Sequence, residues 1–458
     1  MRRKAVTPKK LIKDLRSRLG TAAVLAGIED RYVHSFDATA NPILPDVVVI
    51  PSTVDELAWA CETLWAAGVA ITPRGAGTGY AGGAVPARAG AVVVCDRLEG
   101  IGEPRDGVVQ VEPGVVGDDL DRFLRPFGMF YPVDPASAEA STLGGHVAAN
   151  AGGPRALKYG VTRDYVQAVE AISPARGREV YRDEPGKADL LSVLVGSEGT
   201  LAVFLRIRLR VLPAPEASAA AVASFDDVEA AAKVADEVLR AGVLPAKLEF
   251  LDRRCIACIN AKEAGTFDDD AAAVLMFEFD GSREAVAAEL EAAAEMARKG
   301  GARTLATAPD GAAAERLWLA RRGVSPALGM LAPHKTNEDV CVPRSQIPAL
   351  LGFIAELEET YGVPVPTFGH VGDGNLHVNF MYDRRVTDQR ERVGEAVARL
   401  MARVVELGGT ITGEHGVGLA KAAFLPLEQG AAEFAYARRV KSFFDPSGLL
   451  NPGKIFAR

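Results

Sequence analysis

Pro213-Ala214-Pro215 separates two stretches of different texture and reads as a boundary between them. Paired prolines disfavour the interior of helices and sheets alike. The chain's 458 residues also exceed what one ordinary core holds, so two or three domains are expected. Before the prolines, the pattern predicts a strand at 47–50, a helix at 55–67 and strands at 69–72 and 91–95, a small α/β unit. Residues 107–212 mix short strands with glycine- and proline-rich loops, ending at 205–211 in the apolar-basic alternation of a half-buried strand. After the prolines, alanine-rich helices at 226–241, 282–299, 311–328 and 386–407 alternate with strands such as 274–279 and 338–342. This second stretch reads as α+β, a sheet with helices on one side. The tail from Asp445 to Lys454 holds too many turn formers for a helix.

Composition narrows the function classes. With 48% hydrophobic and 24% charged residues the chain reads as a soluble globular protein, and its net charge of -8 gives no electrostatic reason to bind nucleic acid. The N-terminus is basic from Met1-Arg2-Arg3-Lys4 to Lys9-Lys10, but no apolar run follows as in a secretory signal. A cytoplasmic location is expected, with peripheral membrane attachment or an organellar presequence as alternatives; the spacing at 11–19 also suits a plain amphipathic helix. No segment approaches the length of a membrane span. The five cysteines are dispersed, and Cys255 and Cys258 read as one helix face rather than a zinc or iron-sulfur site. Any electrons handled here must leave without a cluster of the chain's own.

Chemistry concentrates in His370-Val371-Gly372-Asp373-Gly374-Asn375-Leu376-His377 and in Gly413-Glu414-His415-Gly416, which hold three of the six histidines. Asp-Gly is a strong two-residue hairpin signal, and a turn centred on Asp373-Gly374 would set His370 opposite His377. Opposed side chains on one face lie about 5 Å apart, so the two imidazoles could share a divalent ion with Glu414 as third ligand. His415 is then a spare base. Packed, hydrogen-bonded histidines are the alternative.

Three runs of small residues suit close approach of a ligand to backbone. Pro73-Arg74-Gly75-Ala76-Gly77-Thr78-Gly79-Tyr80-Ala81-Gly82-Gly83 follows an expected strand and could wrap a pyrophosphate with its amides. It lacks the Gly-Lys-Ser/Thr of a P-loop and the following helix of a Rossmann fingerprint, so a mobile turn is the competing reading. The second run extends from Asp134 to Gly153, and the third is Gly196-Ser197-Glu198-Gly199-Thr200-Leu201. Tight core packing without a ligand is their alternative.

Together these runs resemble the flavoprotein superfamily of vanillyl-alcohol oxidase and para-cresol methylhydroxylase, and within it the D-lactate dehydrogenase and glycolate oxidase FAD-subunit group. The resemblance extends from about Pro51 to Lys454. It implies an α+β fold: a two-part FAD-binding domain (1–213), an α+β cap with an antiparallel sheet (214–412), and a C-terminal segment returning to the FAD domain (413–458). It implies FAD lined by Pro73, Arg74, Gly75, Ala76, Gly77, Thr78, Gly79, Gly82, Pro135, Ser141, Thr142, Gly145, Ala149, Gly152, Gly153, Glu198, Gly199, Leu201 and Asn451. The pyrophosphate loop lacks the histidine or cysteine that family members commonly use for attachment, so the FAD is expected to be non-covalent; His146 is expected only to pack.

The resemblance further implies His370, His377 and Glu414 as ligands of a divalent metal, zinc first, with manganese or iron as alternatives. His415 matches the family's catalytic base, Asn375 a polar residue at the substrate, and Arg321 and Lys335 the cations for its carboxylate; Ser325 and Arg322 are secondary candidates. The implied reaction is oxidation of a D-2-hydroxy acid, D-lactate or glycolate favoured, to the 2-oxo acid with hydride transfer to FAD. A 2-hydroxyglutarate dehydrogenase and a non-redox flavin-dependent transferase are the alternatives. An external electron acceptor is implied (an electron-transfer flavoprotein, an iron-sulfur subunit or a quinone), and related enzymes are often homodimers.

Overall fold

The computed structural model describes residues 7–39, 41–186, 188–308 and 311–456, so the basic stretch at 1–4 lies outside the described residues. The chain forms two compact units, one of Met1–Gly152, Val161–Ala214 and Glu414–Arg458, the other of Gly153–Gly160 and Pro215–Gly413. No helix among the described residues is long and apolar enough to cross a membrane.

In the first unit, Val24–Leu25, Val47–Val49, Ala91–Val94 and Ile71–Arg74 form a four-stranded sheet in that order. Val47–Val49 and Ile71–Arg74 run parallel to Ala91–Val94. The two valine-rich strands are buried along their whole length, the continuous apolar pattern of a parallel sheet covered on both faces. The helix Val54–Ala66 starts where Thr53 accepts a hydrogen bond from the Glu56 N–H, while Glu56 reaches back to the Ser52 N–H at 2.8 Å. The strand expected from 69 begins at Ile71 instead. Gly68, at φ 71°, ends the helix, and the Val69 N–H is used to cap it by donating to the Leu64 carbonyl.

A second, antiparallel sheet orders Val108–Val111, Val203–Arg210, Val166–Ser173 and Gly177–Arg182. Ile207 and Leu209 point into its core while Arg208 and Arg210 are exposed, as the alternation predicts, whereas Leu205, beside a register shift against Glu170 and Ala171, packs with the core of the parallel sheet. The C-terminal segment contributes the helix Ala431–Phe444 and then meets the parallel sheet. There the Ile71 N–H donates to the Leu449 carbonyl and the Asn451 N–H to the Ile71 carbonyl, each at 2.7 Å.

The second unit is built on one seven-stranded sheet ordered Thr304–Ala308, Ala217–Phe225, Ala273–Gly281, Lys247–Asp252, Thr367–His370, Asn375–Tyr382 and His334–Cys341. All its neighbours are antiparallel. The sheet is not covered on one side only, as the sequence suggested. Nearly every residue of Ala217–Phe225 and Ala273–Gly281 is buried. One alternate set (Ala220, Val222, Val274, Met276) packs with the helices Arg253–Lys262 and Val324–Ala327, while Val228–Arg240 and Arg283–Lys299 also lie against these strands. The helix expected at 311–328 stops at Arg322 and resumes at Val324–Ala327. Pro326 has no N–H to offer the Arg322 carbonyl, and its ring crowds that position.

Candidate active site

The paired strands Thr367–His370 and Asn375–Tyr382 set His370 opposite Asn375 and Phe368 opposite His377. The two-residue turn expected at Asp373-Gly374 is therefore corrected to a connection spanning 371–374. The Asp373 N–H donates to the His370 carbonyl, and Gly374, at φ 79°, closes the loop. The Val342 N–H donates to the Gly374 carbonyl at 3.0 Å, and a Cβ on Gly374 would lie 2.0 Å from the Val342 oxygen, so the neighbouring strand grips the turn. The register moves by two, an even number, which leaves both imidazoles on one face. Their ring centroids are 5.2 Å apart and the rings perpendicular.

Behind His370 lies Glu249, a residue that the sequence did not single out. Its carboxylate is fully buried, hydrogen-bonded to His370 Nδ1 through Oε1 and ion-paired with Arg321 through Oε2, with Arg321 Nε at 2.7 Å. Burial alone would raise the carboxyl, but the charges of Arg321 and His370 outweigh it and hold it down at about 2. Arg321, expected at a substrate carboxylate, thus has its guanidinium on Glu249 and 4.6 Å over the Phe368 ring. The signal for Glu249 is faint: a lone acid alternating with apolar residues in Lys247-Leu248-Glu249-Phe250 reads as a solvated strand face.

Asp339, opposite His377 on the next strand, accepts a hydrogen bond from the Gly413 N–H at 2.8 Å. A Cβ on Gly413 would lie 2.3 Å from Asn375 Nδ2, so only glycine lets the chain pass there. This anchor carries the next residue, Glu414, to the histidines. One ligand atom from each of His370, His377 and Glu414 falls within 4.8 Å of the others. Two imidazoles and a carboxylate, one imidazole backed by a carboxylate, suit a divalent ion, and the buried Asn375 Oδ1 beside them has no hydrogen-bond partner among the described residues. The donor set fits a metal. Lys335 lies on the strand His334–Cys341 with Nζ 2.5 Å from Ser325 Oγ, and Arg322 is ion-paired with Glu315.

In the first unit, His415 stacks on Tyr80 with ring centroids 5.0 Å apart. Tyr80 belongs to the glycine-rich loop 73–83, and the two segments are knit together next to it. Leu419 and Ala420 donate their N–H groups to the Ala81 carbonyl, and a Cβ on Gly418 would lie 2.0 Å from that oxygen. Glu198, expected to line a cofactor, receives the N–H groups of Val417 and Gly418 at 2.8 and 2.6 Å. Burial pushes its carboxyl up against the opposing pull of those amides. The histidine thus stacks on Tyr80 and precedes a turn that Glu198 holds, and the sequence marked neither relation.

The other expected cofactor residues fall as follows. Pro73 and Arg74 end the strand Ile71–Arg74, and Arg74 donates to the Phe36 carbonyl at 2.7 Å. Gly75, Ala76, Gly77, Thr78, Gly79 and Gly82 form the loop, in which a Cβ on Gly75 would lie 2.1 Å from Thr142 Oγ1. Gly145 and Ala149 lie in the helix Leu143–Ala149, preceded by Pro135, Ser141 and Thr142 and followed by Gly152; Gly153 opens the segment belonging to the second unit. Gly199 packs on Pro73, Leu201 joins the core, and Asn451 donates to the carbonyls of Gly83 and Glu198. Thr142 Oγ1 and Ser197 Oγ are buried without partners among the described residues, and a dinucleotide's polar groups fit that lining. His146 packs as expected, with Nε2 2.8 Å from Ser141 Oγ, and burial lowers it to about 4, which keeps it neutral.

Residues 45–181 match the FAD binding domain and residues 214–455 the C-terminal domain of FAD linked oxidases. The glycolate oxidase subunit GlcD of Bacillus subtilis is 36% identical over 98% of both chains. The probable mitochondrial D-lactate dehydrogenase of Danio rerio is 33% identical over 99% of this chain and 93% of its own. The fold is shared with 4-ethylphenol oxidase from Gulosibacter chungangensis at a TM-score of 0.80 and 16% identity, covering 100% of this chain and 99% of that one. p-Cresol methylhydroxylase gives 0.78 at 16% identity, covering 98% and 96%. An FAD-binding domain of the vanillyl-alcohol oxidase and p-cresol methylhydroxylase fold, joined to the oxidase C-terminal domain, makes this chain a member of the FAD-linked oxidoreductases.

Proposed function

We propose that the protein oxidises a D-2-hydroxy acid, D-lactate or glycolate before 2-hydroxyglutarate, to the 2-oxo acid. The observation that carries this reading is the convergence of His370, His377 and Glu414 in an FAD-linked oxidase, with His415 next in sequence. The names of the relatives point to the same substrates. Bound FAD supplies a two-electron acceptor and a divalent ion, zinc before manganese or iron, supplies a Lewis acid. The FAD is held without a covalent bond by the runs around Gly75–Gly79, Thr142 and Ser197, since the loop 73–83 has no histidine or cysteine.

His370, His377 and Glu414 hold the ion, and Asn375 Oδ1 is an acceptor for a substrate hydroxyl. His415 takes the hydroxyl proton on its imidazole, held in place by Tyr80 and by the turn that Glu198 fixes. Lys335 binds the substrate carboxylate, while the Arg321 guanidinium is held by Glu249. The electrons leave to an external acceptor: an electron-transfer flavoprotein, an iron-sulfur subunit or a quinone.

Anaerobic mixing of the flavoprotein with D-lactate, L-lactate, glycolate and D-2-hydroxyglutarate tests this, read from flavin absorbance near ~450 nm. D-Lactate or glycolate is expected to bleach the flavin. A flavin that dithionite reduces and no hydroxy acid does would overturn the proposal.

A further inference from the structure

Glu249 serves two partners with two oxygens. Oε1 meets His370 Nδ1, and Oε2 meets Arg321, whose side chain is itself buried. A carboxylate on the outer nitrogen of a ligating histidine fixes the ring's orientation and strengthens it as a ligand. The same carboxylate occupies the Arg321 guanidinium at 2.7 Å, so a second anion brought to that cation has to compete with a buried, charge-matched partner. Arg321 alone would extend the positive potential of the site; paired with Glu249, the two side chains contribute no net charge.

We infer that Glu249 is a positioning and specificity-determining residue, which orients His370 toward the metal and, by occupying Arg321, limits the substrate to 2-hydroxy acids bearing a single carboxylate. The inference rests on the hydroxy-acid reading above and deepens it. A dicarboxylic 2-hydroxy acid needs a second cation with charge to spare, and the pairing denies it Arg321.

Glu249→Gln tests both roles, since the amide keeps the volume and removes the charge. Titration of metal-depleted protein with Zn2+ or Mn2+, a readout independent of turnover, is expected to show affinity lower by about 10- to 100-fold. The ratio of kcat/KM for D-2-hydroxyglutarate over D-lactate is expected to rise about tenfold, the size of one charge-assisted hydrogen bond, and to fall back in the Glu249→Gln/Arg321→Gln double variant. Unchanged metal affinity overturns the positioning role; an unchanged substrate ratio overturns the specificity role. If Glu249→Gln does not fold, the wild-type enzyme still decides, because preference for D-2-hydroxyglutarate over D-lactate overturns the inference. Glu249→Asp, which keeps the charge, is expected to keep the preference for one carboxylate. Should wild type reduce its flavin with no hydroxy acid, the reaction assignment fails, and the metal titration still decides the positioning role.

Discussion

Substituting Gly374 with alanine isolates the contact that sets the register of the two histidines. Gly374 and Gly408 both have positive φ, 79° and 74°. A Cβ on Gly408 meets nothing within 4 Å, whereas one on Gly374 lies 2.0 Å from the backbone oxygen of Val342. The φ penalty, about 1–2 kcal/mol, is common to both. Ordinary contact distance is about 3.5 Å, so Gly374→Ala must also push the turn or the Val342 strand apart by roughly 1.5 Å. That displacement breaks the Val342 N–H to Gly374 carbonyl bond and adds about 1–3 kcal/mol for the buried groups left unmade. Gly408→Ala is therefore expected to cost about 1–2 kcal/mol and keep metal binding, and Gly374→Ala about 2–5 kcal/mol with weakened metal binding. Urea denaturation and zinc titration of the two variants side by side measure this. Equal destabilisation with equal metal affinity would refute the claim that the Val342 contact sets the hairpin.

His415→Ala is expected to retain FAD but slow flavin reduction by substrate about 100- to 10,000-fold in stopped-flow absorbance, and fast reduction would remove His415 from the proton transfer. Glu198→Gln cannot accept from both the Val417 and Gly418 amides, and is expected to cost about 1–3 kcal/mol by thermal unfolding and to lower kcat more than it raises KM. An unchanged kcat would confine Glu198 to a purely structural role. Burial depresses Lys454 to about 8 in the folded chain, against 10.5 unfolded. Between those values the unfolded state binds more protons, so this lysine's contribution to stability rises with pH through that window and is lost as pH falls through about 8. Lys454→Met is expected to flatten that rise in unfolding midpoints, and a parallel pH curve in wild type and variant would contradict it.

Local signals in the sequence located elements well and long-range relations poorly. The alternation ending in Leu209-Arg210 fixed which side of a strand is wet, because that depends on one strand alone. Asp373-Gly374 located the hairpin but not its length, which depends on a contact with Val342 from a strand that precedes it in the chain. The error left both histidines on one face because the shift was even. The end of a helix at Arg322 was written in Pro326 and could have been read there. Glu249 was not legible. It is 121 positions from His370, and only the pairing of Lys247–Asp252 with Thr367–His370 brings them together. Tyr80 and Glu198 are of the same kind, since each lies far in sequence from the His415 loop it touches.

The split composition of the first unit has a consequence for biosynthesis. Apart from Gly153–Gly160, the second unit is one uninterrupted stretch, Pro215–Gly413, and its seven strands can pair as soon as that stretch has left the ribosome. The first unit cannot finish in chain order. Ile71 waits for Leu449 and Asn451, and Ala81 waits for Leu419 and Ala420. At translation rates of about 5–20 residues per second, the N-terminal sheet edge stays open for roughly 20 to 80 seconds before its partners are made. An unpaired edge exposed that long is a template for pairing with other nascent chains until its own partners arrive.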